Sequence, residues 1–223
     1  MSFQIVENKI IFTNDFNQEI SQELLEILQT INKIKFGKKF NQNVDELPDN
    51  IEEIEFGYSF NQIVNKWPNG LRKVVFGLCF NQKIKLYPEN IETIHFGYNF
   101  NQNINNLPKS VLHLKLLGKF NRKIDKLPPY LVSLHLGTHF NKKLDNLPQT
   151  LKHLEIEGWF NQDLMFLPSL IEYLSICGFF DKLLDVPINC KKLRLSNTEL
   201  QVIVPDGCEV EYTRYPFPRE KKN

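Results

Sequence analysis

Four of the five histidines, His95, His113, His135 and His153, fall on successive short runs in which apolar and polar residues alternate. Lys115 shares one of these runs, and Tyr173 lies on the run that follows them. Imidazole is the side chain whose charge changes between about pH 5 and 8, and it is also the commonest metal ligand. Metal binding fits this spacing poorly. Strands about 4.8 Å apart spread the four rings over roughly 14 Å, against Zn–N bonds of about 2.0 Å, so at most one neighbouring pair would share an ion. Catalysis fits less well, because no Ser, Cys or carboxylate recurs beside a His in a way that builds a pocket. Two readings remain. Either the histidines are solvated polar residues of a sheet, or His95, His113, Lys115, His135, His153 and Tyr173 form a face that contacts a protein partner with an affinity that changes near pH 6.5. No catalytic residue, metal site or cofactor is assigned. A second candidate is apolar: Trp159, Met165, Phe166 and Phe179 stand where other repeats mostly place polar residues. Exposed together they make a patch of the kind that marks an interface; the other reading is wider coils that bury them.

The element that must position all these side chains is a repeat with a period of 20 residues. Phenylalanine recurs from Phe40 through Phe60, Phe80, Phe100, Phe120, Phe140 and Phe160 to Phe180, and asparagine follows seven of them, from Asn41 to Asn161. Proline falls eight residues after each Phe, from Pro48 to Pro168, then slips to Pro187. A fixed period in this range is the mark of a solenoid, in which one coil cannot bury its apolar face without its neighbours. Each coil carries a run such as Ile51, Ile54, Phe56, Gly57, whose alternation is that of a strand with one buried face. Strands one coil apart lie parallel, so one parallel sheet runs the length of the body.

Several details follow from this design. The glycine after the strand, as at Gly57 and Gly77, is read as a residue that turns the chain out of the sheet with φ > 0. The spine Phe points inward and stacks on its equivalents. The following Asn is read as a buried ladder that ties coil to coil through otherwise unpaired backbone groups. The return leg is too short for a helix and is read as extended. On the wet side of the sheet two columns emerge, one from Lys33 through His113 and His153 to Lys192, the other from Lys35 through His95 and His135 to Arg194. Lys33, Glu53 and Lys73 alternate in sign and are read as structural pairing.

The ends depart from the period. Residues 1–30 read as a cap, a hairpin around Glu7 to Lys9 followed by Ile20, Leu24, Leu28 and Ile31 at helical spacing. Residues 31–195 hold the repeats and residues 196–223 a closing strand and a loose tail, with Glu209 and Glu211 beside Lys192 and Arg194. A net charge of +1 with 24% charged residues gives no reason to propose nucleic acid or an anionic membrane. No basic start followed by an apolar run and no spanning segment is found, so the chain is expected to be a cytoplasmic monomer, in the host cytoplasm if viral. The four cysteines lack metal-type spacing, and Cys190 reads as a small buried hydrophobe in a reducing compartment.

The Phe-Asn-Gln triplets at 40–42, 60–62, 80–82, 100–102 and 160–162, the Leu-Pro pairs and the Phe-Gly steps between coils resemble the FNIP repeat, a family found chiefly in amoebae and their giant viruses and similar to leucine-rich repeats. Where that family commonly has Pro after the triplet, this chain has Asn43, Ile63, Lys83 and others. The resemblance implies a leucine-rich-repeat-like coil of about eight repeats and a protein-binding role, in some members within ubiquitin-ligase adaptors. Residues 1–30 are too short for an F-box. The expected function is therefore non-catalytic binding of a protein partner on the exposed sheet face. Self-association through the Trp159 and Phe166 patch is the alternative, and a substrate receptor without its own F-box a more distant one.

Overall fold

A computed structural model describes residues 2–214; the tail from Tyr215 to Asn223 lies outside the described residues. The chain opens with strands β1 (Phe3–Val6) and β2 (Lys9–Phe12), an antiparallel hairpin whose tight turn holds Glu7 at φ 54°. Helix α1 (Gln22–Leu28) follows, capped where the Leu24 N–H donates to Ser21 Oγ at 3.3 Å, and it buries Leu24 and Leu28 against the first coils.

From there each coil contributes one short strand. They are β3 (Lys33–Lys35), β4 (Glu53–Glu55), β5 (Lys73–Val75), β6 (Thr93–Phe96), β7 (His113–Leu116), β8 (Ser133–Leu136), β9 (His153–Gly158) and β10 (Tyr173–Gly178). The final coils serve two sheets. β11 (Leu184–Asp185) and β13 (Val202–Ile203) pair in parallel on the return side, while β12 (Lys192–Leu195) and β14 (Glu209–Tyr212) extend the main sheet. Among the described residues the main sheet has twelve strands, parallel throughout except at the β1–β2 hairpin. About ten turns result, more than the eight regular repeats, because the hairpin strand and the shortened last coils stack on the same sheet.

Burial follows the alternation. The inward residue of each strand from β3 to β10, Ile54, Ile94 and Leu134 among them, is at most 2% exposed. The spine phenylalanines from Phe40 to Phe180 are all buried, and their rings stack nearly parallel at 6.0 to 6.2 Å between centroids. In the first half a second column, Phe36, Phe56, Phe76 and Phe96, stacks at 5.4 to 5.6 Å and lies 3.7 to 3.9 Å from the spine ring of its own coil. The stacks along each column, from 5.4 to 6.2 Å, lie within the favourable range for aromatic pairs. Leu116, Leu136 and Ile156 take over that second column further on. The spacing of equivalent points thus grows from about 4.8 Å at the strands through the second column to the spine. Coils that fan outward in this way bend the body, with the sheet on the inside of the curve.

On the return leg the repeating proline of each coil closes a turn with its carbonyl, which accepts the N–H three residues on: Ile51 to Pro48 at 3.2 Å, Leu71 to Pro68 at 3.1 Å, and so on to Cys208 and Pro205 at 3.2 Å. Proline lacks a donor but keeps its acceptor, so nothing is lost by placing it there.

Two expectations need correcting. The glycines at Gly57, Gly77 and Gly97 do not take positive φ; they are needed because a Cβ there would lie 1.9 to 2.1 Å from the carbonyl oxygen of the glycine one coil back. Positive φ belongs to the displaced glycines, Gly118 at 59° and Gly158 at 78°. The asparagine ladder exists but is not buried. Each Asn Oδ1 accepts the backbone N–H of the next coil's Asn, at 2.8 Å for Asn41 to Asn61 and 3.2 Å for Asn141 to Asn161, and the side chains are half-buried or exposed. The ladder runs outside the phenylalanine spine, at the surface of the turn. Gln62, Gln82 and Gln102 reinforce it by donating to the preceding Asn carbonyl at 3.0 Å.

Candidate recognition face

The pairing register builds the two outward columns as straight rows. Lys33, Glu53, Lys73, Thr93, His113, Ser133, His153, Tyr173 and Lys192 stand side by side along one, and Lys35, Glu55, Val75, His95, Lys115, His135, Glu155, Ser175 and Arg194 along the other. Both ends of the rows are closed by ion pairs. Glu53 bridges Lys33 at 2.9 Å and Lys73 at 3.6 Å, and Glu55 meets Lys35 at 2.5 Å and Lys9 at 3.7 Å. At the far end Glu211 meets Lys192 at 3.0 Å and Arg194 at 3.7 Å, with Glu209 also beside Lys192 at 3.6 Å. Hydrogen bonding and charge from Lys33 and Lys73 hold Glu53 below the usual carboxylate range even against its partial burial.

The middle of the face differs. His113 and His153 are exposed, with the His153 ring 6.2 Å from that of Tyr173. Among the described residues Lys115 is the one cation of the two rows that makes no ion pair. The four histidines do not share one environment. Burial, then the charges of Lys115 and Lys73, push His95 down to about 4, so it stays neutral at pH 6.5 and supplies no charge change there. His135 is clamped from its far side: Nε2 lies 3.0 Å from Glu157 Oε1 and Nδ1 lies 3.9 Å from Glu155 Oε2, with only 12% of the side chain exposed. Hydrogen bonding to His135 in turn lowers Glu157. Of the expected recognition residues, His113, Lys115, His153 and Tyr173 are thus open to a partner, whereas His95 and His135 are held within the sheet surface.

Glu157 was not among the residues the sequence pointed to. The regular coils offer two outward positions, but β9 and β10 run to six residues and open a third, where Glu157 pairs with Cys177. The displaced Gly158 and Gly178 were the signal, since a later glycine lets the strand run longer. Ser175, expected on the wet side, is buried, its Oγ 3.4 Å from Cys177 Sγ.

The apolar residues fall in two places. Trp159 stacks on Phe179 at 4.2 Å where the chain leaves the sheet. Met165 and Phe166 project from the return leg, 71% and 78% exposed. There Met165 lies between a cavity of about 320 Å³ lined by Val186, Ile188 and Ile203 and one of about 220 Å³ that Phe166 also lines. No cluster of three or more His, Cys, Asp and Glu side chains is placed to hold a metal ion among the described residues. No helix among them is long and apolar enough to cross a membrane.

No curated protein matches the chain. A solved structure, described as that of CroV588, a novel circular LRR protein, is similar over 87% of this chain at 27% identity and a TM-score of 0.60. The chain spans 38% of that protein's length. The model of the FNIP Repeat matches three consecutive stretches, residues 40–79, 80–119 and 120–158, each two coils long and in phase with the phenylalanine spine. The chain belongs to the FNIP-repeat family.

Proposed function

We propose that this protein is a non-catalytic interaction module that binds a protein partner on the exposed face of its solenoid sheet, centred on His113, Lys115, His153 and Tyr173. The observation that carries the reading is the contrast along the face. Lysines and carboxylates at both ends of the rows satisfy one another, while the central strands present an unpaired ammonium group, two exposed imidazoles and a phenol. The two imidazoles and the Lys115 ammonium are available for hydrogen bonds to a partner without an ion pair being broken first, whereas the Tyr173 phenol also meets Arg194. The bend of the body, which places the sheet on the inside, turns this row of strands into a shallow trough. Kinship with leucine-rich repeats supports the same face, and the unpaired Lys115 favours a partner that brings a carboxylate there.

The test is affinity capture from the native cell with the tagged full chain and with a His113→Ala, Lys115→Ala, His153→Ala variant. The partner captured by the parent protein should be lost or reduced at least tenfold by the variant while the fold, followed by circular dichroism, is unchanged. Equal capture by both proteins would remove the face from consideration. Self-association through Phe166 and Met165 is the second reading, supported by their high exposure. Light scattering separates the two, since a monomer across the working concentration range excludes it.

A further inference from the structure

We propose that Cys190 and Cys208 form a redox dithiol, which a peroxide converts into a disulfide that latches the closing coil onto the body of the solenoid. The argument begins with a column of inward side chains at the turn before each strand: Ile51, Leu71, Ile91, Val111, Leu131, Leu151 and Ile171. Each of these residues donates its N–H to the carbonyl of the proline three positions back. Cys190 and Cys208 make the same turn bond, to Pro187 at 2.9 Å and Pro205 at 3.2 Å, so they take the corresponding place in the last two turns. Neighbouring backbone atoms confirm that they are adjacent. The Glu209 N–H, directly after Cys208, donates to the Lys191 carbonyl, directly after Cys190, at 2.9 Å. The register sets Glu209 against Lys192, so Cys208 stands one residue out of step with Cys190. A strand spacing of about 4.8 Å and a residue step of about 3.3 Å then put their Cα atoms roughly 5.8 Å apart, inside the roughly 4.4 to 6.8 Å that a disulfide spans. Both thiols are free.

Their environments differ in a useful way. Cys190 is 4% exposed within the core, whereas Cys208 lies at its margin and is partly open to solvent. Burial and the adjacent Cys208 thiol push the Cys190 thiol up to about 11. A peroxide therefore meets Cys208 first. Its distal oxygen passes to the Cys208 sulfur, giving a sulfenic acid and one water. The Cys190 sulfur then attacks the Cys208 sulfur; the S–S bond forms, the S–O bond breaks, and the departing hydroxide takes the Cys190 proton as a second water. The two thiols lose two electrons and the peroxide is reduced to two waters. The product joins the coil carrying β12 to the one carrying β14, the last strand of the sheet among the described residues, whose neighbour is β12. The other cysteines are elsewhere: Cys177 lies beside Ser175 and Thr213, and Cys79 is on a distant coil.

The experiment treats the full chain with hydrogen peroxide and counts thiols before and after, with peptide mapping under non-reducing conditions. The expected result is loss of two of the four titratable thiols, a linked Cys190–Cys208 peptide, reversal by dithiothreitol, and slower amide exchange in β12 and β14 of the oxidised protein. Cys208→Ser should keep the fold and abolish the linkage, and Cys190→Ala should do the same from the other side. Retention of four thiols under peroxide would overturn the proposal, as would a linkage that joins two molecules or involves Cys79 or Cys177.

Discussion

A methyl group added at Gly77 would lie 1.9 Å from the Gly57 carbonyl oxygen, a backbone atom that cannot swing aside. At Gly207 the same methyl group meets nothing within 4 Å, but φ is +78°. The two glycines therefore answer to different physics, and substitution separates them. Gly77→Ala must push neighbouring coils apart and is expected to cost more than about 3 kcal/mol, as overpacking of a rigid site does. Gly207→Ala should cost about 1 to 2 kcal/mol, the penalty of a left-handed L-residue. Urea unfolding of both variants checks the order, and equal losses would refute it. His95 is a second residue whose setting rather than its type decides its behaviour. Its pKa is held near 4, below the ordinary 6.5, so the unfolded chain binds the proton first. Stability attached to neutral His95 is thus full above about pH 6.5, declines as the pH falls towards 4, and is gone below that. An NMR titration should show the His95 ring neutral at pH 6, and a midpoint near 6.5 would contradict the argument.

At the level of elements, the asparagine ladder shows what a sequence does and does not disclose. Seven asparagines in register announced a ladder, because nothing except a repeated hydrogen bond needs that side chain every 20 residues. Their depth was not legible, since Asn is equally suited to a buried and to a surface turn, and the structure puts it outside the ring column. The distinction sets the magnitude. Asn101 accepts the Asn121 N–H at 3.1 Å and donates its own N–H to Asn81 Oδ1 at 2.9 Å, in a half-exposed setting where water can compete. Asn101→Ala is expected to cost about 0.5 to 1.5 kcal/mol, the net worth of one such bond, rather than the larger loss of a buried orphan. Asn101→Asp keeps the acceptor oxygen and should retain most of the stability at neutral pH. Thermal unfolding of the pair distinguishes lost acceptor from lost packing. The same logic explains the site. The two outward rows were legible from alternation alone, but the clamp on His135 was not, because it depends on β9 continuing past the length of the earlier strands to Glu157.

For the molecule as a whole, regular repeats made the interior predictable and left the ends to be decided by irregular residues. An open parallel sheet exposes unpaired N–H and C=O groups at each end, and a solenoid needs something there to prevent stacking of one copy on the next. The N-terminal end is closed by reversing direction: β1 runs antiparallel, so the outermost strand does not present the edge that a further coil would meet. At the other end β14 keeps the parallel direction, and what marks it is charge, with Glu209 and Glu211 flanking the half-buried Val210 on the final strand. Removing that charge leaves the hydrogen-bonding edge intact while deleting what repels a second chain. A Glu209→Thr, Glu211→Thr variant is therefore expected to self-associate in a concentration-dependent way by light scattering, whereas the parent chain stays at the mass of one 26.3 kDa copy. Loss of the pairs to Lys192 and Arg194 should cost little by itself, because all four side chains are well exposed. A variant that remains monomeric at the highest soluble concentration would show that charge on this strand is not what keeps the end of the solenoid single.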